Sequence, residues 1–256
     1  MGKKRSRSQA NKINEEQPPP GCQHYSSISE VPWDNQSYWH QRYSLFSRYD
    51  EGIWLTDDAW FGVTPEPVAE YIAEHTSTAI SENKSILIDA FAGAGGNTIA
   101  FAKSGRWKRV YGVEKDPAVL ACAKHNAEIY GVSDLITWYE GDCFEVLDGP
   151  LKDTGEYAVV FASPPWGGPG YRSDEIFNLT TMQPYSLEQL YRAYAKLTPD
   201  IILYLPRTSD LRQLAKYASE ENRVKVMHYC MEGASKALCA YYGSFQWPAD
   251  ENGVTS

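Results

Sequence analysis

Three apolar runs in the first 145 residues each end on an acid, and this repeated pattern limits the chain to few folds. Ser85-Ile86-Leu87-Ile88-Asp89-Ala90-Phe91 is followed by Ala92-Gly93-Ala94-Gly95-Gly96-Asn97-Thr98. Arg109-Val110-Tyr111-Gly112-Val113 runs into Glu114, 21 residues after Gly93, and residues 135–139 are followed by Gly141-Asp142-Cys143. Short apolar runs of this kind, bounded by turn residues, predict buried strands. Helical stretches are predicted between and after them, over residues 66–80, 114–130, 186–196 and 209–219. Further strands are expected over 157–162 and 201–205. Residues 223–230 and 235–242 are expected to close the sheet as an antiparallel hairpin around Glu232-Gly233-Ala234. Alternating strands and helices imply an α/β fold, a mostly parallel sheet with helices on both faces. Ligands of such sheets bind at the carboxyl ends of the strands. Asp89, Glu114, Asp142, Ser163 and Arg207 all fall there.

A glycine-rich turn between strand and helix lets the backbone approach a ligand closely, but dehydrogenases use one too. The position of the acids separates the two readings. A carboxylate already at the end of the first strand would repel a pyrophosphate, yet it suits the cationic, amino-bearing end of S-adenosylmethionine. Glu114 stands where an acid accepts ribose hydroxyls, and Asp142 where the adenine edge would lie.

The fourth strand stops at Ser163-Pro164-Pro165-Trp166-Gly167-Gly168. Two prolines cannot extend a sheet, and each restricts the residue before it to extended geometry. The result is a stiff turn with Ser163 and Trp166 at its edge. A polar residue followed by Pro-Pro-aromatic resembles the signature of methyltransferases that act on exocyclic amines of bases. A flat base needs an aromatic face, and its amine needs acceptors; here these are the Ser163 hydroxyl and the Pro164 carbonyl.

Composition narrows the rest. The 256 residues carry a net charge of −9, so a nucleic acid must be gripped locally rather than by a broad basic surface. No apolar run approaches the roughly 20 residues of a membrane span, and no signal peptide or membrane association is expected. The five cysteines form no C-x-x-C or Cys/His ligand spacing, which points to a reduced intracellular protein with no metal site. The five histidines show no pairing that suggests general-base work.

Residues 1–25 are expected to be a disordered tail, with a basic cluster at residues 3–7 suited to nuclear import or to an arm that grazes RNA, and a run of prolines at residues 18–20. Residues 26–80 are expected to form a helical extension, residues 81–247 the core, and residues 248–256 a second tail. Nine aromatic residues fall between Trp33 and Phe61. Residues 38–48 read as one helix with Trp39, Tyr43 and Phe46 on a single face. Thr64-Pro65-Glu66-Pro67 is expected to cap the helix that follows. Most of these rings serve packing; one or two are candidates for a lid.

Residues 38–242 resemble the trimethylguanosine synthase family, which hypermethylates RNA caps. The resemblance is carried by Trp39-His40-Gln41-Arg42-Tyr43-Ser44-Leu45-Phe46-Ser47-Arg48-Tyr49-Asp50, Val63-Thr64-Pro65-Glu66, the stretch from Asp89 to Thr98, Ser163 through Pro169, and Leu205-Pro206-Arg207. It implies a class I S-adenosylmethionine-dependent methyltransferase: a Rossmann-like, mostly parallel seven-stranded sheet with an N-terminal helical extension. It also implies 7-methylguanosine-capped small nuclear and small nucleolar RNAs as substrates, small ribonucleoprotein core proteins as partners, and a nuclear location. Carried over by residue, Trp166 would stack the base while Ser163 and Pro164 hold N2. Phe46, Asn126 and Tyr171 would line the cap pocket, and Arg207 would meet the cap phosphates. Thr64, Pro65, Asp89, Phe91, Gly93, Gly95, Asn97, Thr98, Glu114, Asp142, Cys143 and Ser163 would surround the donor. Family members carry a basic residue just before the Tyr-Trp pair, where this chain has Ser37. Two other readings share the motifs: an amino-methyltransferase of another base (guanine N2 in tRNA, adenine N6 in DNA), and an inactive cap-binding module.

Overall fold

Seven strands hydrogen-bond into one sheet in the order β3-β2-β1-β4-β5-β7-β6. They are β1 (Ile86–Asp89), β2 (Arg109–Glu114), β3 (Ile136–Glu140), β4 (Ala158–Ala162), β5 (Ile201–Pro206), β6 (Lys225–Met231) and β7 (Ala234–Tyr242). The computed structural model describes residues 17–167, 175–219, 223–231 and 233–247. The basic cluster at 3–7, Gly168, Pro169, Tyr171, Glu232 and the 248–256 tail lie outside the described residues.

The first five strands are mutually parallel, and β7 runs antiparallel to both β5 and β6. Central strands β4 and β5 are buried at every position. That burial on both faces is why they read as unbroken apolar runs rather than alternating ones. Alternate side chains of the sheet feed two cores. Leu87, Val159, Phe161 and Ile202 face α3 (Glu66–Ala79), α4 (Gly96–Lys103) and α5 (Pro117–Ile129). Ile88, Val160, Leu203 and Leu205 face α6 (Cys143–Asp148), α7 (Leu187–Leu197) and Leu214 of α8 (Leu211–Ala215).

Helix starts follow local chemistry. Asp116 accepts from the amides of Ala118 and Val119 ahead of Pro117, and Ser186 forms a capping box with Gln189. The expected cap of α3 is not formed: Pro65 occupies the cap position, and the Thr64 hydroxyl accepts from Asn97 Nδ2 at 2.9 Å instead. The last of the predicted helices is shortened to Leu211–Ala215, because Asp210 caps it and the Ser209 hydroxyl bonds Pro206 O.

The expected single helix over 38–48 is two short pieces, α1 (Gln36–Trp39) and α2 (Arg42–Leu45), followed by Phe46 in extended geometry. Packing is the reason. Trp39 meets Tyr49 edge-on at 5.5 Å, while Phe46 turns to Tyr130 at 6.2 Å, and one straight helix cannot serve both. Tyr43, placed with them on one face by spacing, is exposed; the Arg42 guanidinium lies 4.3 Å over its ring and 4.1 Å over Trp39.

The boundary of the expected N-terminal tail also moves. Cys22 and Tyr25 are buried, and Gln23 pairs with Leu55 as an isolated antiparallel bridge. The tail expected to reach residue 25 therefore already contributes to the core by residue 22.

Candidate active site

The three acids stand at the carboxyl ends of adjacent strands, β1, β2 and β3, and the Ser163-Pro164-Pro165-Trp166 turn leaves β4 on the other side of β1. Strand order reverses between β1 and β4, which is where an open α/β sheet forms its ligand crevice.

Asp89 is fully buried. Its Oδ2 accepts from the Thr98 hydroxyl at 2.6 Å and its Oδ1 from Phe91 N at 3.3 Å. Burial pushes its carboxyl up to about 7, with nearby Glu114 adding to the effect, against the two hydrogen bonds. Such a group gains from a cation placed beside it. Thr98 thus faces the acid and sets its orientation.

Glu114 ties two turns together: Oε2 accepts from Gly93 N and Oε1 from Asp116 N, both at 2.9 Å. The glycine turn has Gly93 at φ 54° and Gly95 at φ 95°, backbone that side-chain-bearing residues rarely adopt. At Gly95 a Cβ would also lie 3.1 Å from Ile99 Cδ1, so the turn presses directly on its own helix. Asn97 is buried and gives its amide nitrogen to Thr64, whereas its Oδ1 is buried with no hydrogen-bond partner among the described residues. A buried carboxylate at the end of β1 and a buried orphan acceptor at the start of α4 suit the ammonium of an amino acid, the chemistry that S-adenosylmethionine presents.

Asp142 caps α6 through a bond from Phe144 N to Oδ1 at 3.0 Å, and its Oδ2 accepts from the Tyr185 hydroxyl at 2.6 Å. Partial burial works against ionisation, but these two bonds and Lys115 at 3.7 Å hold its carboxyl below the usual range. Phe91 is half-buried with its ring against Tyr185, and Pro65 is half-buried at the foot of α3. The Cys143 side chain is buried beside Tyr194, and burial pushes the thiol up to about 12. Only its backbone reaches the strand end.

Trp166 is half-buried, with Nε1 donating to Tyr204 O at 3.4 Å and its ring 5.7 Å from the Tyr204 ring. It packs against both cores. Pro164 is buried and Ser163 half-buried at the same edge. Arg207 is exposed just after β5; Nη1 donates to Ser235 O at 3.4 Å, and the side chain borders a groove of about 400 Å³ with Ile176, Leu211 and His228.

Two residues carried over to the cap pocket are buried and hold contacts of their own. Asn126 has no exposed surface: its Oδ1 accepts from Trp54 N and its Nδ2 donates to Trp54 O and Ala94 O. With both ends of the amide occupied, it is a clamp between the N-terminal segment and the glycine turn. Phe46 is 2% exposed and lines a small pocket with Tyr130, Ile99 and Glu66. Glu66 accepts from Ser47 N and the Tyr130 hydroxyl and pairs with Lys103. Neither the Glu66 hub nor Tyr185 stands out in the sequence, since each depends on segments far apart in the chain. His24, His75 and His125 are half-buried, His125 stacking 3.5 Å from Trp54 and donating to Gly52 O, whereas His40 and His228 are exposed. Among the described residues, no group of three His, Cys, Asp or Glu side chains is placed to hold a metal ion, and no helix is long and apolar enough to cross a membrane.

The family model for RNA cap guanine-N2 methyltransferases matches residues 84–245. The chain is 41% identical over 214 residues to trimethylguanosine synthase of Schizosaccharomyces pombe, covering 83% of this chain and 87% of that one. With trimethylguanosine synthase of Saccharomyces cerevisiae it shares 35% identity over 212 residues, 80% of this chain and 66% of that one. A solved methyltransferase structure from Porphyromonas gingivalis W83 matches with a TM-score of 0.58 at 15% identity, covering 81% of this chain and 48% of that one. The O-methyltransferase TomG from Streptomyces achromogenes matches with a TM-score of 0.50 at 11% identity, over 70% of this chain and 80% of that one. These two likenesses concern the fold alone.

Proposed function

The chain belongs to the RNA cap guanine-N2 methyltransferase family, and from that premise we propose that it converts the 7-methylguanosine cap of small nuclear and small nucleolar RNAs into the 2,2,7-trimethyl form, in the nucleus. It is a guanosine-N2 methyltransferase with S-adenosylmethionine as methyl donor. The observation that carries the finer reading is the juxtaposition of three strand-end acids with the rigid Ser163-Pro164-Pro165-Trp166 turn across the β1/β4 crevice.

The donor supplies a methyl group activated by a positive sulfur. In this reading Asp89 and Asn97 Oδ1 hold its amino-acid end, Glu114 accepts from its ribose, and Asp142 accepts from its adenine. Trp166 stacks the base. A guanine methylated at N7 is a cation, and an indole face attracts cations by about 0.5–2 kcal/mol. That term favours the methylated cap without any base-specific hydrogen bond. Ser163 Oγ and the Pro164 carbonyl accept from N2 and aim it at the donor methyl. The Ser163–Trp166 turn contains no histidine or carboxylate to act as a strong base, so catalysis is mainly positioning, an effect worth about 7–11 kcal/mol when geometry is right, with the N2 proton lost to water or late in the reaction. Arg207 neutralises cap phosphates.

The test is incubation with labelled S-adenosylmethionine and caps carrying 7-methylguanosine, guanosine or adenosine, with product masses read out. Addition of two methyl groups to the 7-methylguanosine cap is expected, with little on the others. Equal turnover of guanosine and 7-methylguanosine caps overturns the cation-stacking reading. Donor binding without turnover of any cap would favour an inactive cap-binding module.

A further inference from the structure

Tyr185 belongs to no motif, yet it closes the open side of Asp142. Its hydroxyl donates to Asp142 Oδ2 at 2.6 Å across 43 residues of chain. Its ring meets Phe144 edge-on with centroids 4.8 Å apart and lies tilted against Phe91 at 6.0 Å. The three rings come from three segments: Phe91 follows β1, Phe144 lies in the first turn of α6, and Tyr185 precedes α7. They stand together at the strand end that carries Asp142.

A carboxylate held by its helix cap alone is anchored through one oxygen and can swing about its last torsion. Here Phe144 N anchors Oδ1 and Tyr185 anchors Oδ2, so the plane of the carboxylate is set. A carboxylate oxygen accepts at two lone-pair positions, and Tyr185 takes one of them on Oδ2. We propose that Tyr185 is a positioning residue for donor recognition: it turns the remaining lone pair of Asp142 Oδ2 toward the 6-amino group of adenine and, with Phe91 and Phe144, builds the aromatic wall of the adenine subsite. The proposal rests on the reading of Asp142 as the adenine-facing acid. Its hydrogen bond to Asp142, together with burial, pushes the phenol up to about 12, so Tyr185 remains a donor at every working pH. The nearby Lys115 is 74% exposed at its side chain and 3.7 Å away, too solvated to orient the acid.

Calorimetric titration of S-adenosylhomocysteine, and of its analogue lacking only the 6-amino group, tests this on the wild type, Tyr185→Phe and Asp142→Asn. The wild type should prefer the amino-bearing ligand by roughly tenfold or more, the scale of a hydrogen bond to a charged acceptor. Tyr185→Phe keeps the ring, so it should lose roughly five- to tenfold for S-adenosylhomocysteine and little for the analogue, narrowing the preference. Affinity for a 7-methylguanosine diphosphate cap should stay unchanged. An unchanged preference in Tyr185→Phe, or equal losses for both ligands, overturns the proposal and leaves ring packing only. Asp142→Asn retaining the full preference would instead remove Asp142 from the adenine edge. If Tyr185→Phe melts early, the ratio of the two affinities at low temperature still decides, because partial unfolding scales both alike.

Discussion

Replacing Asp89 by Asn removes a charge from the deepest acid of the site while keeping its shape. Asn can present Oδ1 to Phe91 N and its amide nitrogen to Thr98, whose hydroxyl accepts as readily as it donates. In the fold the Asp89 carboxyl is pushed from 3.8 up to about 7, chiefly by burial. An acid whose pKa is raised on folding keeps its proton longer in the folded state, so stability falls as pH rises between about 4 and 7 and is flat above that. A shift of this size corresponds to about 4 kcal/mol of destabilisation at pH 8, and to about 2 kcal/mol near pH 5.5, where the folded acid is still protonated. Without donor, Asp89→Asn should therefore outlast the wild type in urea at pH 8 by an amount that shrinks by about 2 kcal/mol at pH 5.5. Tryptophan fluorescence of both proteins at the two pH values reads this directly. The donor reverses the balance, because its cationic end prefers the ionised acid. Wild-type affinity for S-adenosylmethionine should climb between about pH 5.5 and 7.5, while that of Asp89→Asn should be weak and level over the same window. Parallel stability curves for the two proteins would refute the reasoning, since the acid would then titrate alike in both states.

Trp166→Ala should lose both packing and turnover, about 3 kcal/mol in stability by truncation of a half-buried ring, while Trp166→Phe should keep the fold and lose part of the preference for the 7-methylated cap; melting temperature and turnover on the two caps separate these. Asn126→Ala leaves Trp54 N, Trp54 O and Ala94 O unpaired in the interior, so chemical denaturation should show a loss of about 3 kcal/mol, with cap affinity of the folded protein unchanged. Deletion of residues 1–16 should leave the melting temperature unmoved, whereas deletion through residue 25 strips Cys22 and Tyr25 from the core and should lower it by several degrees. A chain beginning at Thr64 lacks Trp39, Phe46, Tyr49, Trp54 and Trp60 from the same core and should give no cooperative transition in calorimetry.

The alternation of strands and helices, the acids at Asp89, Glu114 and Asp142, and the Ser163-Pro164-Pro165-Trp166 turn were all legible in the amino-acid order. Each is a local signal: a short apolar run, a glycine where φ is positive, a proline that ends a strand. Such signals act within a few residues and survive any tertiary context that lets the sheet form. What the order of residues left open was decided by contacts between distant segments. Residues 38–48 carry helical periodicity, but Trp39 and Phe46 have partners in different directions, and burying both rings costs the helix its continuity. Asn126 is as polar as any pocket residue, and only the arrival of Trp54 and Ala94 turns its amide into a buried clamp. Cys143 follows the site acid directly, yet its thiol turns to Tyr194 because the first turn of α6 packs inward. Tyr185 is the converse case, an unremarked residue before a helix that the fold brings to 2.6 Å from Asp142. Periodicity reports which side of an element is apolar. Which partner meets that side, and which amide or phenol it leaves paired, is settled only when the segments pack.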